Sequence, residues 1–374
     1  MKIMKRIKNH WVPVGILLLS IISAWFAAMS FENLRENDPI HRGPGVTEIR
    51  QLSDYFPGIR NTNGDTPVYI MKGEAPGGAT LVLGGTHPNE PASHITAVCL
   101  IELCLPRTGT MIVIPRANNS AFTHNDPQEA NPQSFAIGKR SFRFGSRSTN
   151  PIDQWPDPEV YRHHPSGQKL SGSETRNLNR SYPGKADGSL TEKVAYAIMQ
   201  VMEQEHVDIA FDLHEASPEY PVINAIVTHP ISFDLSAEAV LYLQMEGIEF
   251  NLEPSPENFR GLSHREWGDA LHIASILMES ANPVQGRYHG RLTDDAVTSG
   301  IDHIYSEAYK HGLLEVPFPE EGIPMEVRVG RHLSALNQIY QIWSEYQPDK
   351  AIELANIPDY HWLQENGLAS LLDR

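Results

Sequence analysis

Cysteine is scarce in this sequence, with two residues among 374. Cys99 and Cys104 lie five positions apart on one predicted helix, which places them about 140° apart around its axis. A disulfide between them is geometrically unfavourable at that angle. We therefore predict two buried thiols that pack as small apolar side chains, in a fold held together by an ordinary core.

Basic side chains are also few, because 30 Lys and Arg stand against 46 Asp and Glu, for a formal net charge of −16. Four of the basic residues fall within the first ten positions, MKIMKRIKNH, so the rest of the chain is more acidic still. A surface of this sign repels phosphate backbones and anionic lipid. The composition therefore argues against nucleic acid as a partner, while a hydrophobic content of 40% is typical of a globular protein.

Charged side chains are absent from residues 11–31, WVPVGILLLSIISAWFAAMSF. A helix of this length crosses a hydrocarbon core of roughly 30 Å. Trp11 and Trp25 are suited to its interfaces, and the basic flank 1–10 would stay cytoplasmic. The length favours a single-pass signal anchor with the remaining chain on the extracytoplasmic (periplasmic) side. A cleaved signal peptide is the alternative.

Regular periodicity is missing from two stretches. Residues 32–60 are polar and interrupted by Pro and Gly, which predicts a linker. Residues 118–175 form a long insertion, and such insertions are usually functional or disordered.

The rest of 61–345 alternates helices with short apolar runs, which predicts an α/β domain with helices on both faces of the sheet, followed by a tail over 346–374. The predicted strands cover 80–86, 111–117, 207–216, 220–229, 247–252 and 274–280, and the predicted helices 91–104, 189–206 and 294–315.

The insertion is unusually basic for so acidic a protein. Its basic residues are Arg140, Arg143, Arg147, Arg162, His163 and His164. We consider two interpretations: a pocket rim that selects an anionic substrate, and an ordinary surface loop.

Polar side chains follow three of the predicted strands. His87 and Glu90 come after TLVLGGT, His214 lies in FDLHEAS, and Glu279 ends ILMES. In an open α/β sheet, ligands bind at the carboxyl ends of the strands. Two imidazoles and one carboxylate suit Zn²⁺ and leave a fourth position open for water. Each residue alone has an ordinary explanation, but the conjunction predicts a metal site with Glu279 as a free carboxylate that takes a proton from water.

A second motif, TRNLNRSYPG, contains Asn179 and Arg180. A guanidinium binds a carboxylate in two-point geometry, and the neighbouring amide supplies a further donor. This pair predicts recognition of an anionic group on the substrate.

Together these motifs resemble the zinc carboxypeptidase superfamily and, within it, the succinylglutamate desuccinylase/aspartoacylase-like branch. GGTHPNE, NLNRSYPG, FDLHEA and ILMES occur in that family's order, over about residues 75–315. The resemblance implies a three-layer α/β/α fold with a mixed, mainly parallel sheet, one Zn²⁺ per chain, and hydrolysis of an amide or peptide bond beside a carboxylate. It implies the roles of ligands for His87, Glu90 and His214, of catalytic base for Glu279, and of substrate binding for Asn179 and Arg180.

Three departures from the family pattern bear on the activity. The carbonyl-polarising arginine falls to Arg176, four residues before Arg180, or to an arginine of the insertion. No tyrosine lies between Tyr242 and Tyr288, where the peptidases have one; that loop holds His264, Arg265 and Trp267 instead. The chain after Glu279 reads as mainly helical, whereas desuccinylases add a β domain. We therefore predict a deacylase of a small carboxylate-bearing amide, with a carboxypeptidase for short or peptidoglycan-type peptides and an inactive binding protein as alternatives.

Overall fold

The computed structural model describes residues 11–126 and 132–373, and it contains two compact units. The first ends at Asn37, and the second spans Asp38–Arg374. The first unit contains helix α1, Trp11–Asn33, with a mean hydropathy of 2.2. By length and composition this helix can cross a membrane, and a signal sequence near an N-terminus meets the same criteria. The predicted flank 1–10 lies outside the described residues.

The second unit is built on a sheet to which the described residues contribute nine strands. These strands are β1 Glu48–Gln51, β2 Pro67–Lys72, β3 Ala75–Leu83, β4 Leu105–Ile114, β9 Ile209–Ala216, β10 Ala225–Thr228, β11 Asn251–Pro254, β12 Ala274–Ala281 and β13 Glu353–Ala355. Two separate hairpins pair β5 Ser134–Ile137 with β6 Arg140–Arg143 and β7 Val160–Arg162 with β8 Lys169–Ser171. Both hairpins belong to the predicted insertion.

The strand order is β1-β2-β4-β3-β9-β12-β10-β11, with β13 paired to β4. The central strands β4, β3, β9 and β12 are parallel to their neighbours within that run, and β10 and β11 form a further parallel pair. Strands β1, β2 and β13 pair antiparallel, as do β10 and β12. The sheet is therefore mixed, with a parallel centre, as the sequence predicted.

Helices cover both faces of this sheet. They are α2 Leu52–Tyr55, α3 Pro91–Leu103, α4 Leu190–Gln204, α5 Phe233–Met245, α6 Ser263–Leu271, α7 Asp294–Ser299, α8 His303–Lys310, α9 Met325–Tyr346, α10 Tyr360–Asn366 and α11 Ala369–Leu372. Because successive strand residues point to opposite faces, Val82 and Phe211 pack with α3, α5 and α9, while Leu81 and Ala210 pack with α4. The three-layer α/β/α architecture is confirmed.

Helix α4 begins as its sequence indicates. The Ser189 side chain accepts from the backbone N–H of Glu192, and the Glu192 carboxylate accepts from the backbone N–H of Ser189. This capping box satisfies two of the N–H groups that a helix start leaves unpaired. The helix predicted over 294–315 was wrong as a single element, because Gly300, at φ 68°, ends α7 before α8 begins.

The sheet also extends beyond the predicted domain 61–345. Strand β1 lies within the predicted linker 32–60 and pairs with β2. Strand β13 lies within the predicted tail 346–374 and pairs with β4. Cys99 and Cys104 are both free and buried, as predicted.

Candidate active site

Strand register brings distant residues of the sequence to one edge of the sheet. Leu83, the last residue of β3, pairs with Asp212 of β9, and His214 pairs with Glu279 of β12. Neighbouring residues in a parallel pair point to the same face, so the His214 and Glu279 side chains lie side by side. The turn after Leu83 carries His87 to the same edge.

The stretch GGTHPNEP turns the chain sharply from β3 into α3. Gly85 adopts φ 67°, and a Cβ there would lie 2.7 Å from the Phe122 ring, so glycine is required. The backbone N–H of Glu90 donates to the His87 carbonyl over 2.9 Å, which brings both side chains to the same side of the turn. Pro91 then occupies the first turn of α3, where its missing N–H costs nothing.

The His87, Glu90 and His214 side chains converge on one point. His87 Nδ1 lies 2.8 Å from Glu90 Oε1, and His214 Nδ1 lies 2.9 Å from Glu90 Oε2. Their ligand atoms all lie within 4.8 Å of one another, and each residue is 1% exposed. One cation at this point would reach a nitrogen from each ring and a carboxylate oxygen.

The other nitrogen of each ring has its own acceptor. His87 Nε2 lies 2.9 Å from Asn177 Oδ1, and His214 Nε2 lies 3.0 Å from Asp212 Oδ2. With a cation in front of the two Nδ1 atoms, each ring would carry its proton on Nε2 and direct it to these oxygens. That is the arrangement usual for histidine ligands. Thr86 Oγ1 holds Asp212 in turn by donating to its Oδ1 over 2.7 Å.

The electrostatics differ between the two rings of this cluster, because burial and the nearby Arg147 charge lower the pKa of His87 to about 4. Burial alone would lower the pKa of His214, but the carboxylates of Asp212 and Glu90 raise it well above its usual value. Burial would likewise raise the pKa of Glu90, but the two histidines hold it well below its usual range. Two imidazoles and one ionised carboxylate in a buried, acid-rich position are a donor set that fits Zn²⁺.

Glu279 lines the same cavity as the three proposed ligands. One of its oxygens, Oε2, is buried and has no hydrogen-bond partner. Burial raises the pKa of Glu279 to about 8, and the nearby Glu90 and Asp212 carboxylates act in the same direction. A carboxyl group that is displaced toward neutral pH and lies in a cavity is a candidate for general acid–base chemistry.

These residues line one end of a cavity of about 420 Å³. Asn179 and Arg180 lie on its wall, as does Arg147 of the insertion. Asn179 Oδ1 accepts from the backbone N–H of Ser263 over 2.8 Å, which leaves the amide nitrogen of Asn179 as the available donor. Burial lowers the pKa of Arg180 to about 10, so its guanidinium stays charged at neutral pH.

Arg176 is not brought to the cavity. Its guanidinium forms two hydrogen bonds with the Asp157 carboxylate, of 2.8 and 3.1 Å, and a third with the Thr149 carbonyl. The prediction that Arg176 contacts the substrate does not agree with this placement, because its donors are committed elsewhere. Arg147 takes the position instead, with Nη1 3.2 Å from Glu90 Oε1.

The other basic residues of the insertion are divided between packing and the surface. Arg140 forms an ion pair with Glu102, Arg143 donates to the Phe122 carbonyl, and His163 is buried. Arg162 and His164 are exposed. Arg147 is thus the basic residue through which the insertion contributes to the cavity wall.

The three loop residues found where the peptidases have a tyrosine lie in three different environments. His264 lines the cavity, Trp267 is in the core beside Tyr182, and Arg265 donates to Ser255. The sequence analysis did not single out Asn177 or Asp212. An acid inside the apolar strand VDIAFDLHEA was a usable signal for Asp212, whereas the role of Asn177 depends on a contact across 90 residues.

Comparison with known proteins places the chain in a family. The model of the succinylglutamate desuccinylase/aspartoacylase catalytic domain matches residues 76–269, more than half of the chain. This range includes His87, Glu90, Asn179, Arg180 and His214 and ends before Glu279. The N-alpha-acetyl-L-2,4-diaminobutyric acid deacetylase of Halomonas elongata is 36% identical over 64 residues, which are 17% of this chain and 18% of that protein.

Two solved structures are similar to this chain over part of its length. A succinylglutamate desuccinylase from Silicibacter sp. TM1040 is 15% identical, with a TM-score of 0.36, 60% of this chain and 55% of that chain being covered. A metallo-carboxypeptidase from Burkholderia cenocepacia is 12% identical, with a TM-score of 0.46, over 82% of this chain and 67% of that chain. On the family match, this chain belongs to the succinylglutamate desuccinylase/aspartoacylase family, whose members are hydrolases that act on amides.

Proposed function

We propose that this protein is a zinc-dependent amide hydrolase that deacylates a small, carboxylate-bearing N-acyl substrate. The observation that carries the proposal is the buried convergence of His87, Glu90 and His214 beside the unpaired Glu279 carboxylate. A metal-binding protein without catalysis would need the three ligands but would not need a free carboxyl group facing them.

Each residue of the cavity has a task in this reaction. Zinc, when bound, polarises the scissile carbonyl and lowers the pKa of water toward ~7. Arg180 and the Asn179 amide nitrogen bind the substrate carboxylate. Arg147 stabilises the negative charge that develops on the carbonyl oxygen. Glu279 accepts a proton from the attacking water and delivers it to the leaving nitrogen, so the C–N bond breaks with the amine neutral.

Carboxypeptidase activity is the second candidate, because Asn179 and Arg180 could equally bind the terminal carboxylate of a peptide. The deacylase is preferred because the chain belongs to the deacylase family and lacks the peptidase tyrosine between Tyr242 and Tyr288. A panel of N-acyl amino acids and short peptides separates the two activities.

We place the hydrolase outside the cytoplasm, anchored by α1 to the membrane. The basic flank 1–10 favours this orientation. A periplasmic reporter fused to the C-terminus should be active and a cytoplasmic reporter silent. The reverse pattern would refute the orientation.

Glu279→Gln tests the catalytic proposal. The variant keeps the shape of the side chain but cannot accept a proton, so we expect kcat to fall by about 10²–10⁴-fold. Bound zinc, measured by elemental analysis, should remain near one per chain. Glu74→Gln makes the same change on an exposed side chain outside the cavity and should preserve both values. A Glu279→Gln variant with near-wild-type kcat would refute the assignment.

A further inference from the structure

Beyond the metal ligands, the cavity wall has a polar part, which includes Arg147, Asn179, Arg180, Ser217, Tyr220 and Gln285, and an apolar part. The larger residues of the apolar part, called the apolar wall here, are Val222, Val227, Pro256, Phe259, Leu262 and Leu277. The succinyl and aspartyl groups in the family's name carry a second carboxylate, so the character of this wall bears on whether such a group fits this chain's cavity.

Strand register makes this wall a rigid part of the sheet. Val227 of β10 pairs with Leu277 of β12, and Ala225 pairs with Glu279. Because alternate residues of a strand share a face, Leu277 lies beside Glu279 on the same side of the sheet. Val227 is 7% exposed and Leu277 3% exposed. The apolar surface therefore begins directly next to the proposed catalytic carboxylate.

Cationic side chains are few along this cavity. Among the described residues that line it, the arginines are Arg147 and Arg180, and no lysine lines it. Arg147 lies against Glu90, at the metal ligands. The Arg180 guanidinium lies 4.6 Å from the centre of the Phe259 ring. A carboxylate bound by Arg180 would thus have its attached side chain directed along the apolar wall.

Two nearby arginines are committed to other partners. Arg265 lies 3.5 Å from the Asp269 carboxylate and donates to Ser255 Oγ. Arg260 forms ion pairs with Glu266 and Asp269, each of 2.7 Å. Neither arginine lines the cavity, so neither can compensate a second carboxylate on the wall.

His264 is a neutral donor rather than a cation. Its Nδ1 lies 2.8 Å from Ser255 Oγ, which also accepts from Arg265 Nε over 3.1 Å. The Ser255 hydroxyl accepts from Arg265 and has its own proton available for His264 Nδ1, an arrangement in which the ring proton lies on Nε2. Burial lowers the pKa of His264 to about 3, which agrees with a neutral ring.

We propose that the substrate moiety whose carboxylate binds Arg180 also carries an uncharged, aliphatic or aromatic side chain that packs on this wall. The substrate class is then an N-acylated or C-terminal apolar amino acid, and a moiety with a second carboxylate is disfavoured. This inference rests on the proposed function, since it concerns the substrate of the same site. A carboxylate moved onto an apolar wall without a partner loses its hydration and gains nothing in return.

Binding tests this preference without requiring turnover. The probe is the full-length, zinc-loaded Glu279→Gln variant in detergent, titrated calorimetrically with N-acetyl-L-leucine and N-acetyl-L-aspartate. We expect the leucine derivative to bind at least about tenfold more tightly, since an unpaired buried charge costs more than a lost methylene. Equal affinities, or tighter binding of the aspartate derivative, would overturn the proposal.

A charge introduced on the wall gives the matched test. Val222 is partly exposed at the cavity, so Val222→Arg adds a cation there and Val222→Met adds length without charge. In the same Glu279→Gln background, Val222→Arg should shift the affinity ratio toward N-acetyl-L-aspartate by about tenfold. Val222→Met should leave the ratio in favour of leucine. Equal shifts in both variants would overturn the proposal.

The failure of this inference is distinguishable from the failure of the proposed function. Hydrolysis by the wild-type chain with a preference for N-acetyl-L-aspartate would refute the proposed preference for an apolar side chain. The proposed hydrolase function would still stand. Absence of hydrolysis of both compounds and of short peptides, combined with tight binding of the leucine derivative, would refute the hydrolase and support the apolar wall.

Discussion

Two buried groups of histidine and carboxylate in this protein each take a histidine from the same stretch of sequence, GGTHPNEPASH, and serve different purposes. The cavity cluster consists of His87, Glu90 and His214. The core cluster consists of Asp38, His94 and Arg116. His94 follows His87 by seven residues, both are 1% exposed, and both face a carboxylate at 2.8 to 3.0 Å. Burial and ion pairing alone therefore do not identify a site.

The difference lies in where the ring nitrogens point. His94 directs Nδ1 to the Pro115 carbonyl over 2.9 Å and Nε2 to Asp38 over 3.0 Å, so its two nitrogens serve separate partners. Asp38 also accepts from the backbone N–H of Arg143 and lies 3.5 Å from Arg116 Nη1. No residue of the core cluster lines the active-site cavity.

In the cavity cluster, by contrast, two rings direct Nδ1 toward one carboxylate, at the end of an open cavity. Nitrogen lone pairs and a carboxylate directed at the same point repel one another unless a proton or a cation lies between them. Convergence beside a cavity thus marks a binding site, whereas ring nitrogens that serve separate partners away from any cavity mark a structural cluster.

Exchanging each histidine for alanine tests this contrast most severely. His87→Ala removes one of three proposed ligands, so bound zinc should fall from about one per chain to nearly none, and activity should fall with it. His94→Ala removes the closest ion-pair partner of the buried Asp38 carboxylate and leaves a void in the core, so we expect about 3 kcal/mol of destabilisation. Elemental analysis and chemical unfolding measure the two quantities.

The informative result is that each variant loses a different property: zinc in His87→Ala and stability in His94→Ala. His94→Ala should still bind zinc where it remains folded, because its ring lies outside the cavity. Loss of zinc in His94→Ala with retention in His87→Ala would reverse the roles of the two clusters.

A smaller effect is expected when the support of a ligand is removed. Asn177→Ala leaves His87 Nε2 without its acceptor, so the ring is no longer held with Nδ1 toward the cavity. We expect zinc affinity to weaken by about 10–100-fold. The measurement is a competition titration against a chelator of known affinity.

Asn177→Asp is the matched control for this effect. It preserves an oxygen that accepts from His87 Nε2 and from the Asn179 backbone N–H. We therefore expect it to restore most of the zinc affinity. Equal weakening in both variants would show that the acceptor for His87 is not what supports the ligand, and that the hydrogen bond from Asn177 Nδ2 to Glu174 or the packing of the side chain is.

The sequence predicted those parts of the fold and site that depend on local patterns. Strands β3, β9 and β12 are continuous apolar runs, and in a parallel sheet their carboxyl ends meet at one edge. Residues placed just beyond such runs, such as His87 and His214, are therefore brought together by topology. Helix α4 was predictable because its capping box is contiguous.

The sequence did not predict features that depend on contacts between distant residues. Strand β1 alternates half-buried and exposed residues and carries no apolar run, so it reads as linker. The sequence left the carbonyl-polarising role open between Arg176 and an arginine of the insertion. The carboxylate that binds the Arg176 guanidinium is Asp157, 19 residues upstream. No local pattern encodes which of two arginines meets that carboxylate.

The smallest predicted effect tests the core cluster by pH. Burial would raise the pKa of Asp38, but the hydrogen bond and charge of His94, with Arg116 and the Arg143 N–H, bring it below its usual value of 3.8. A carboxylate with a lowered folded-state pKa stabilises the fold above the unfolded-state value and loses this contribution as pH falls through the folded-state value. Asp38→Asn retains an oxygen for Arg143 but removes the charge.

We expect Asp38→Asn to lower the free energy of unfolding by about 2 kcal/mol at pH 6, with zinc content and turnover unchanged. The difference from wild type should shrink as the pH falls below about 4, since the wild-type carboxylate then becomes protonated as well. Denaturant unfolding of both proteins between pH 6 and pH 2.5 measures it. A difference that stays constant over this range would mean that Asp38 stabilises the fold by its shape and not by its charge. The contribution of the core cluster to the free energy of unfolding would then not depend on charge, in contrast to the function of the cavity cluster.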